Sequence, residues 1–328
     1  PCRSQSCPRR DDSRPVVHAD LLAHVKWFTD PTPHPTDWSL LLSAPVIVAF
    51  ALALGAAAVA YAIQHRVREP AVMQTFERFA RIAPTVLGLH VGIALIASAA
   101  LGILFSPNLH PNEDLLGRAI LIVEAMCGLM LLLGLTTRAA AILLALLGVV
   151  AMQPFRVESI LENAHLLGIA VFFFIIGRGP FSLDRIRGMR PPFRQDEAPT
   201  WALTLLRICL GFAIAFSALT EKLLDPGLAK ALLDERPYLN IARSFGVGDP
   251  QFGYLAGLTE LVVGIVVLSG QLTRPVIAVG AILFTLTLPV FGWTEFLGHL
   301  PFFGIMFVLF MAPNANSWHA KRQLQAAA

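Results

Sequence analysis

The sequence predicts an all-α, polytopic membrane protein, and three observations lead to this fold class. Of the 328 residues, 55% are hydrophobic and only 14% are charged, whereas a soluble globular chain has roughly a quarter charged residues. The mean hydropathy is +0.65, and the apolar residues fall in long runs. These values exclude a water-soluble enzyme and a disordered scaffold. A net charge of +3 provides no basic surface for a nucleic acid, so the expected partner is the lipid bilayer.

The apolar runs are separated by blocks of charged residues. A helix that crosses the hydrocarbon of a bilayer needs about 20 consecutive apolar residues. We predict about nine such helices, one near the N-terminus and two groups of four after it. The predicted spans are 40–63, 82–105, 116–135, 139–153, 160–177, 201–220, 252–270, 275–292 and 300–312.

The same pattern divides the chain into regions and sets an expected orientation. The predicted regions are an extracytoplasmic polar tail (1–39), an N-terminal transmembrane helix (40–64), two four-helix units (79–185 and 201–313) joined by a cytoplasmic linker (186–200), and a C-terminal tail (314–328). Lys and Arg are denser in the short loops on the side of the linker, so we expect that side in the cytoplasm. The expected location is the inner membrane of a bacterium, with the N-terminus outside. No cleavable signal peptide is expected, because the first residues are polar.

An internal repeat is the strongest organisational signal. Residues 116–138 align without a gap on residues 252–274, at a constant offset of 136. The matched pairs include an intramembrane Glu, three Gly and a terminal Thr-Arg: Gly117/Gly253, Glu124/Glu260, Gly128/Gly264, Gly134/Gly270, Thr137/Thr273 and Arg138/Arg274. A second match pairs Arg81 with Arg207 at an offset of 126. The sequence therefore predicts a duplicated four-helix bundle with one extra N-terminal helix, in which both copies enter the membrane in the same direction.

Several of these residues resemble motifs of the DoxX-like (DoxX/DoxD) integral membrane family. Arg207 and Gly211, followed by EKLLDP (221–226), resemble the first helix of the family and the loop after it. The pattern E-x3-G-x5-G-x2-TR, from Glu124 to Arg138 and again from Glu260 to Arg274, resembles the second helix. GRGPFSLD (177–184) resembles the Ser-Leu-Asp ending after the fourth helix. The resemblance covers about residues 79–312.

Each half departs from the family pattern at one place. The first half lacks the lysine that Lys222 represents, and the second half ends in APNANSW (312–318) in place of Ser-Leu-Asp. The resemblance implies two four-helix units and an association with respiratory or redox systems. It also implies quinone as a candidate cofactor, because the related DoxD proteins are associated with quinone-linked thiosulfate oxidation.

Two acids inside the predicted spans are candidates for function. An ionisable group in a bilayer costs about 2.5–3.5 kcal/mol on insertion scales, and Glu124 and Glu260 carry this cost at matched positions. One expected role is to hold a quinone or a proton near the outer face. The structural alternative is a hydrogen bond to a backbone carbonyl or to the preceding helix.

The fourth helix of each half contains a carboxylate and an imidazole near its outer end. Glu162 and His165 are separated by three residues, and Glu295 and His299 by four, so each pair shares one face of a helix. With the two acids above they resemble the ligand set of di-iron bundles. The depths differ and the second spacing is wrong for that set, so we expect hydrogen bonding near the outer headgroups and no metal site.

His90 and Lys222 are further candidates. His90 lies in mid-span and could ligate haem or relay a proton, but no second His lies at a matching depth, so a helix–helix hydrogen bond is favoured over haem. Lys222 follows Glu221 at the outer end of a span. It is expected to mark the membrane boundary by snorkelling, or to bind an anionic substrate there.

The N-terminal tail contains a short apolar segment, LLAHVKWF (21–28). We expect a short amphipathic helix on the outer surface or against a protein partner, which makes the tail a candidate docking element. Cys2 and Cys7 lie in the same tail, where a disulfide could persist in an oxidising compartment. Two free thiols are the equal alternative.

The sequence leaves three functions open. It contains no Walker loop, dinucleotide fingerprint, HExxH or CxxC motif, so whether the chain itself catalyses a reaction stays open. The favoured function is a membrane subunit of a redox or respiratory assembly that anchors a partner and links electron transfer to quinone. The alternatives are a small-solute or proton-linked transporter and a purely structural scaffold.

Overall fold

The computed structural model describes residues 25–31, 33–67, 69–189 and 198–312, and only the backbone of Val290. All regular structure in these ranges is helical, which confirms the all-α fold class. Cys2 and Cys7, most of the tail, the central part of the predicted linker and the C-terminal tail lie outside the described residues.

Twelve α-helices are found in this part of the chain. They are α1 (Ala44–Arg66), α2 (Ala71–Gln74), α3 (Ala83–Ala100), α4 (Leu115–Leu133), α5 (Thr137–Val150), α6 (Val157–Glu162), α7 (His165–Ile176), α8 (Leu183–Ile186), α9 (Thr200–Ala218), α10 (Pro226–Glu235), α11 (Asp249–Ser269) and α12 (Thr273–Met311). A π segment (Leu219–Leu223) continues α9. We call α3 to α7 the first half and α9 to α12 the second half.

Six helical segments in the described ranges are long and apolar enough to cross a membrane, as expected of a multi-pass membrane protein. They are Ala44–Arg66, Ala71–Ala100, Leu115–Leu133, Thr200–Leu223, Asp249–Ser269 and Phe291–Met311. Three shorter apolar helices accompany them, at Thr137–Val150, His165–Ile176 and Thr273–Pro289.

Two predicted spans differ from the structure. The span predicted at 160–177 is interrupted between α6 and α7, at residues 163–164. The span predicted at 300–312 begins at Phe291, because α12 changes direction at Gly292 (φ 66°, ψ −149°). Glycine adopts this conformation without the steric penalty of a Cβ, so one residue replaces the loop that the sequence predicted.

The first two helices of each half approach each other through glycines. A Cβ built on Gly92 in α3 would lie 2.8 Å from the carbonyl oxygen of Gly128 in α4. A Cβ on Gly211 in α9 would lie 2.8 Å from the carbonyl oxygen of Gly264 in α11. Small residues allow this backbone contact between membrane helices. In these two contacts Gly92 has the place that Gly211 has in the second half.

An arginine caps the C-terminal end of the second helix in each half. Arg178, which follows α7, donates to the carbonyl oxygens of residues 131–132 at the end of α4. Arg207, within α9, donates to those of residues 267–268 at the end of α11, over 2.8 and 2.7 Å. Gly88 makes room for the first arrangement, because a Cβ there would lie 2.9 Å from Cγ of Arg178. The carbonyl oxygens in the last turn of α4 and in the last turn of α11 are therefore both bound by an arginine, but the two arginines come from different elements.

The N-termini of α5 and α12 are capped in a similar way. Both helices follow a residue with a left-handed backbone, Thr136 (φ 45°) and Leu272 (φ 46°). Asp184 accepts from the backbone N–H groups of Thr136 and Thr137. In the second half, Gln64 of α1 accepts from the N–H of Leu272 over 2.7 Å. The Ser-Leu-Asp ending of the first half thus has a local capping role, and α1 supplies the corresponding acceptor where that ending is absent.

Replacing Gly92 with Val should lower the free energy of unfolding by about 1–3 kcal/mol, the usual cost of overpacking. The added atoms would meet the backbone of α4, which cannot move aside. Thermal unfolding in a mild detergent measures the effect. Gly55→Val is the matched control, because no atom lies within 4 Å of a Cβ at Gly55 in α1. Equal unfolding midpoints for the two variants would contradict the glycine contact.

Candidate functional site

The segment at residues 25–29, which we call the strap, enters between the two halves. Val25 and Phe28 are buried and pack in an apolar cluster with side chains of α10. The ring of Trp27 lies 5.2 Å from the ring of His299 in the second half. The expected surface helix is therefore wrong for the described part of the tail, which is a single turn (Val25–Trp27) inside the bundle. Apolar burial on both sides of Lys26 explains this position.

Lys26 connects acids of both halves. Its ammonium group donates to Oε1 of Glu162 in α6, and its backbone N–H donates to Oε2 of Glu221 in the π segment over 3.4 Å. The hydroxyl of Thr220 donates to the same Oε1 of Glu162 over 2.7 Å. Glu162, Glu221 and Thr220 are all buried. We call these four residues the Lys26 cluster.

The charge of Lys26 is stabilised by these acids. Burial alone lowers the pKa of Lys26, but the carboxylates of Glu162 and Glu221 raise it by more, so the pKa lies above its ordinary value. The ammonium is charged at neutral pH. Removal of one partner from a buried ion pair costs about 3–5 kcal/mol, so the strap is held by charge as well as by apolar packing.

The π segment explains why consecutive polar residues are all buried. The N–H of Leu224 bonds to the carbonyl oxygen of Leu219 over 2.8 Å, which adds one residue to the helical turn. Thr220, Glu221 and Lys222 are then all inside the protein. Such bulges are frequent at functional sites. Here the bulge directs Glu221 to the strap and Lys222 to α11.

Lys222 is an internal ion-pair partner, so the expectation that it snorkels to the membrane boundary is wrong. Its Nζ lies 2.7 Å from Oε2 of Glu260, and the two side chains are 2% and 19% exposed. Gly257, one turn before Glu260, permits this approach, because a Cβ there would lie 2.9 Å from Cβ of Lys222. The bulged turn, which the sequence did not reveal, rotates the ammonium inward.

Glu124 occupies the matched position in the first half but has a different partner. Its Oε1 accepts from the backbone N–H of Phe105 over 2.8 Å, and its Oε2 has no hydrogen-bond partner in the described residues. Phe105 has a left-handed backbone (φ 62°) in the connection after α3. Both acids therefore contact the segment that ends the preceding helix, one through a backbone amide and the other through Lys222.

Glu295 and His299 form a buried pair in the second part of α12. Nδ1 of His299 lies 3.2 Å from Oε1 of Glu295, and both side chains are fully buried. The hydroxyl of Thr287 donates to the same Oε1 over 2.9 Å. The ring of Phe284 stacks on His299 at 4.4 Å. The predicted common face of this pair is thus directed into the protein.

His165 and His299 both pack near one aromatic ring. The ring of Phe302 is 4.3 Å from His165 and 5.9 Å from His299. A small cavity, about 10 Å³, borders Trp27, Glu162 and His165, and this is about the space of one water molecule. Glu162 and His165 therefore border this cavity, and His299 packs against two of its walls, Trp27 and Phe302.

The four carboxylates that resemble a di-iron ligand set do not meet at one place. Glu162 and Glu295 lie near the strap. Glu124 of α4 instead contacts the backbone of Phe105, and Glu260 of α11 contacts Lys222. Within the described ranges, no group of three or more His, Cys, Asp or Glu residues could hold a metal ion. The separate partners of the four acids are the physical reason.

His90 borders an apolar groove between α3 and both parts of α12. Its Nδ1 lies 2.8 Å from the carbonyl oxygen of Val86, one turn earlier in α3. The groove has a volume of about 490 Å³ and opens on the side of the bundle. Its wall includes His90, Ile277, Thr285, Phe296, Phe303 and Phe307. We call it the His90 groove.

A search of protein-family models, curated proteins and solved structures finds no match. Sequence reasoning missed the roles of Lys26 and Thr220. A single lysine beside Trp27 in an otherwise apolar segment was the available signal for Lys26, but nothing in the sequence indicated the segment's position between the halves.

Glutamine at the two matched acids should have unequal effects. Glu260→Gln removes a carboxylate that faces the buried ammonium of Lys222, and it should lower the free energy of unfolding by up to about 3 kcal/mol. Glu124→Gln keeps an oxygen that can accept from Phe105, so we expect a cost of roughly 1 kcal/mol or less. Thermal unfolding of both variants in one detergent provides the comparison. Equal losses of unfolding free energy in the two variants would contradict a larger stabilising contribution from the ion pair with Lys222.

Proposed function

We propose that this chain is the membrane subunit of a bacterial redox assembly and that it binds a quinone in the His90 groove. The observation that carries the proposal is the groove itself. It is concave, apolar and rich in aromatic side chains, with few polar groups, which is the usual composition of a site for a small molecule. Four phenylalanines border it, namely Phe296, Phe303, Phe307 and Phe310, and they suit a planar ring.

The polar atoms of the groove fit the reduced form of such a ring. The carbonyl oxygen of Val86 can only accept, so neutral His90 donates from Nδ1 and keeps Nε2 as an acceptor. The hydroxyl of Thr285 donates to the carbonyl oxygen of Ala281 over 2.7 Å, which leaves its oxygen able to accept. Two acceptors suit the hydroxyl groups of a quinol. A bound quinone would supply two-electron, two-proton chemistry, while the chain binds and orients the ring.

In this proposal the chain is a tandem repeat with nine spans, and the linker lies on the cytoplasmic side. The repeat is supported by corresponding glycine contacts, arginine caps and left-handed residues in the two halves. The resemblance to DoxX-like proteins supports the redox assignment. A docked redox enzyme would deliver the electrons.

Binding of decylubiquinol, kept reduced in the absence of oxygen, to the purified chain in lipid nanodiscs tests the proposal. His90→Leu removes one hydrogen bond to the ligand, so the dissociation constant should rise roughly tenfold. His65→Leu is the matched control, because Nδ1 of His65 makes the same contact with the carbonyl oxygen of Tyr61, four residues earlier, far from the groove. Unchanged affinity in His90→Leu would reject the groove as the quinone site.

A second candidate function, proton-linked transport, is favoured by one observation. The Lys26 cluster places three ionisable groups in the interior between the halves, where transporters place their sites. Proteoliposomes with an imposed pH gradient distinguish the two functions. Proton flux that is lost in Glu162→Gln and preserved in His90→Leu would support transport over quinone binding.

A further inference from the structure

Arg138 and Arg274 begin their helices in the same way but have opposite surroundings. Each follows a left-handed residue and a threonine at the start of α5 or α12. Arg274 is fully buried, with Nη1 2.7 Å from Oε1 of Glu69 and Nη2 3.1 Å from Oε1 of Glu77. Two carboxylates from the connection between α1 and α3 thus neutralise this arginine.

Arg138 has no such carboxylates in the described part of the chain. It is exposed, and it borders a cavity of about 310 Å³ between the start of α5 and the turn after α7. Arg185 of α8 lines the same cavity, and within the described residues neither guanidinium group takes part in a hydrogen bond or ion pair. This volume is large enough for a phosphoryl group and its attached glycerol.

The charges that line this cavity leave it positive. Arg138, Arg178 and Arg185 face one acid, Asp184. The carboxylate of Asp184 already accepts from the N-terminus of α5, and the guanidinium of Arg178 is occupied by backbone carbonyls. Among the residues that the structure describes, no further acid lines the cavity to compensate the charge of the two exposed arginines.

We propose that the cavity beside Arg138 and Arg185 binds a phosphoryl group, which takes the place that Glu69 and Glu77 have beside Arg274. The guanidinium group of one arginine can donate two parallel hydrogen bonds to two oxygens of the same phosphate. The expected source is the headgroup of an anionic phospholipid, because basic pockets at the ends of membrane helices bind such groups. Phe181, in the turn after α7, and Ile186, at the end of α8, are exposed beside the cavity. Both side chains can contact the acyl chains of the lipid. Free phosphate is the other source of the same group.

Native mass spectrometry of the purified full chain, with added phosphatidylglycerol or phosphatidylcholine, tests the proposal. The wild type should retain phosphatidylglycerol roughly tenfold more tightly than phosphatidylcholine, and Arg138→Gln with Arg185→Gln should lose this preference. Arg187→Gln is the control, because Arg187 is exposed nearby and does not line the cavity. Both exchanged arginines are exposed, so the variant should unfold at the wild-type temperature.

A competition experiment distinguishes a phospholipid headgroup from free phosphate as the source of the phosphoryl group. Displacement of the lipid by millimolar inorganic phosphate would support the site and show that the headgroup's phosphate suffices. Retention of the preference in the double variant would overturn the proposal, as would equal binding of both lipids by the wild type. Loss of thermal stability in the double variant without added lipid would also overturn it, because a carboxylate of the chain would then fill the site.

Discussion

The ammonium group of Lys26 holds three parts of the molecule together. It donates to Glu162 of the first half, while the backbone N–H of the same residue donates to Glu221 of the second half. Both donors belong to the strap and therefore to neither half. Two buried carboxylates without a cation would be costly to keep at this interface. Trp27 of the same turn packs against His299, so the strap contacts both Glu/His pairs. Its position at this end of the bundle therefore rests on the buried charge of Lys26 together with one aromatic contact.

The two halves satisfy the backbone groups at their helix ends with different partners. A backbone group inside a membrane must find a hydrogen-bond partner within the protein, but any donor or acceptor of suitable geometry will serve. The end of α4 is capped by Arg178 and the end of α11 by Arg207, while Asp184 and Gln64 cap the starts of α5 and α12. Because the caps come from different elements, the surroundings of matched residues diverge. One half then has room for the phosphoryl site and the other encloses Arg274.

The sequence predicted the fold class well, because apolar run length and glycine spacing report directly on membrane helices. Gly128 and Gly264, matched in the sequence, make equivalent backbone contacts in the structure. The interior of the site was much less accessible to sequence reasoning. Lys26 and Glu162 are 136 residues apart, and their meeting depends on how the strap packs. The inward direction of Lys222 follows from a single bulged turn, which helical periodicity cannot anticipate.

A double-mutant cycle on Lys26 and Glu162 tests the central claim most directly. The free energy of unfolding would be measured in one detergent for the wild type, Lys26→Met, Glu162→Gln and the double variant. Each single exchange should cost about 3 kcal/mol, because it leaves an unbalanced charge in the interior. The double variant should cost clearly less than the two losses combined, with a coupling energy above about 1 kcal/mol. Additive losses would contradict the claim that this ion pair joins the strap to the two halves.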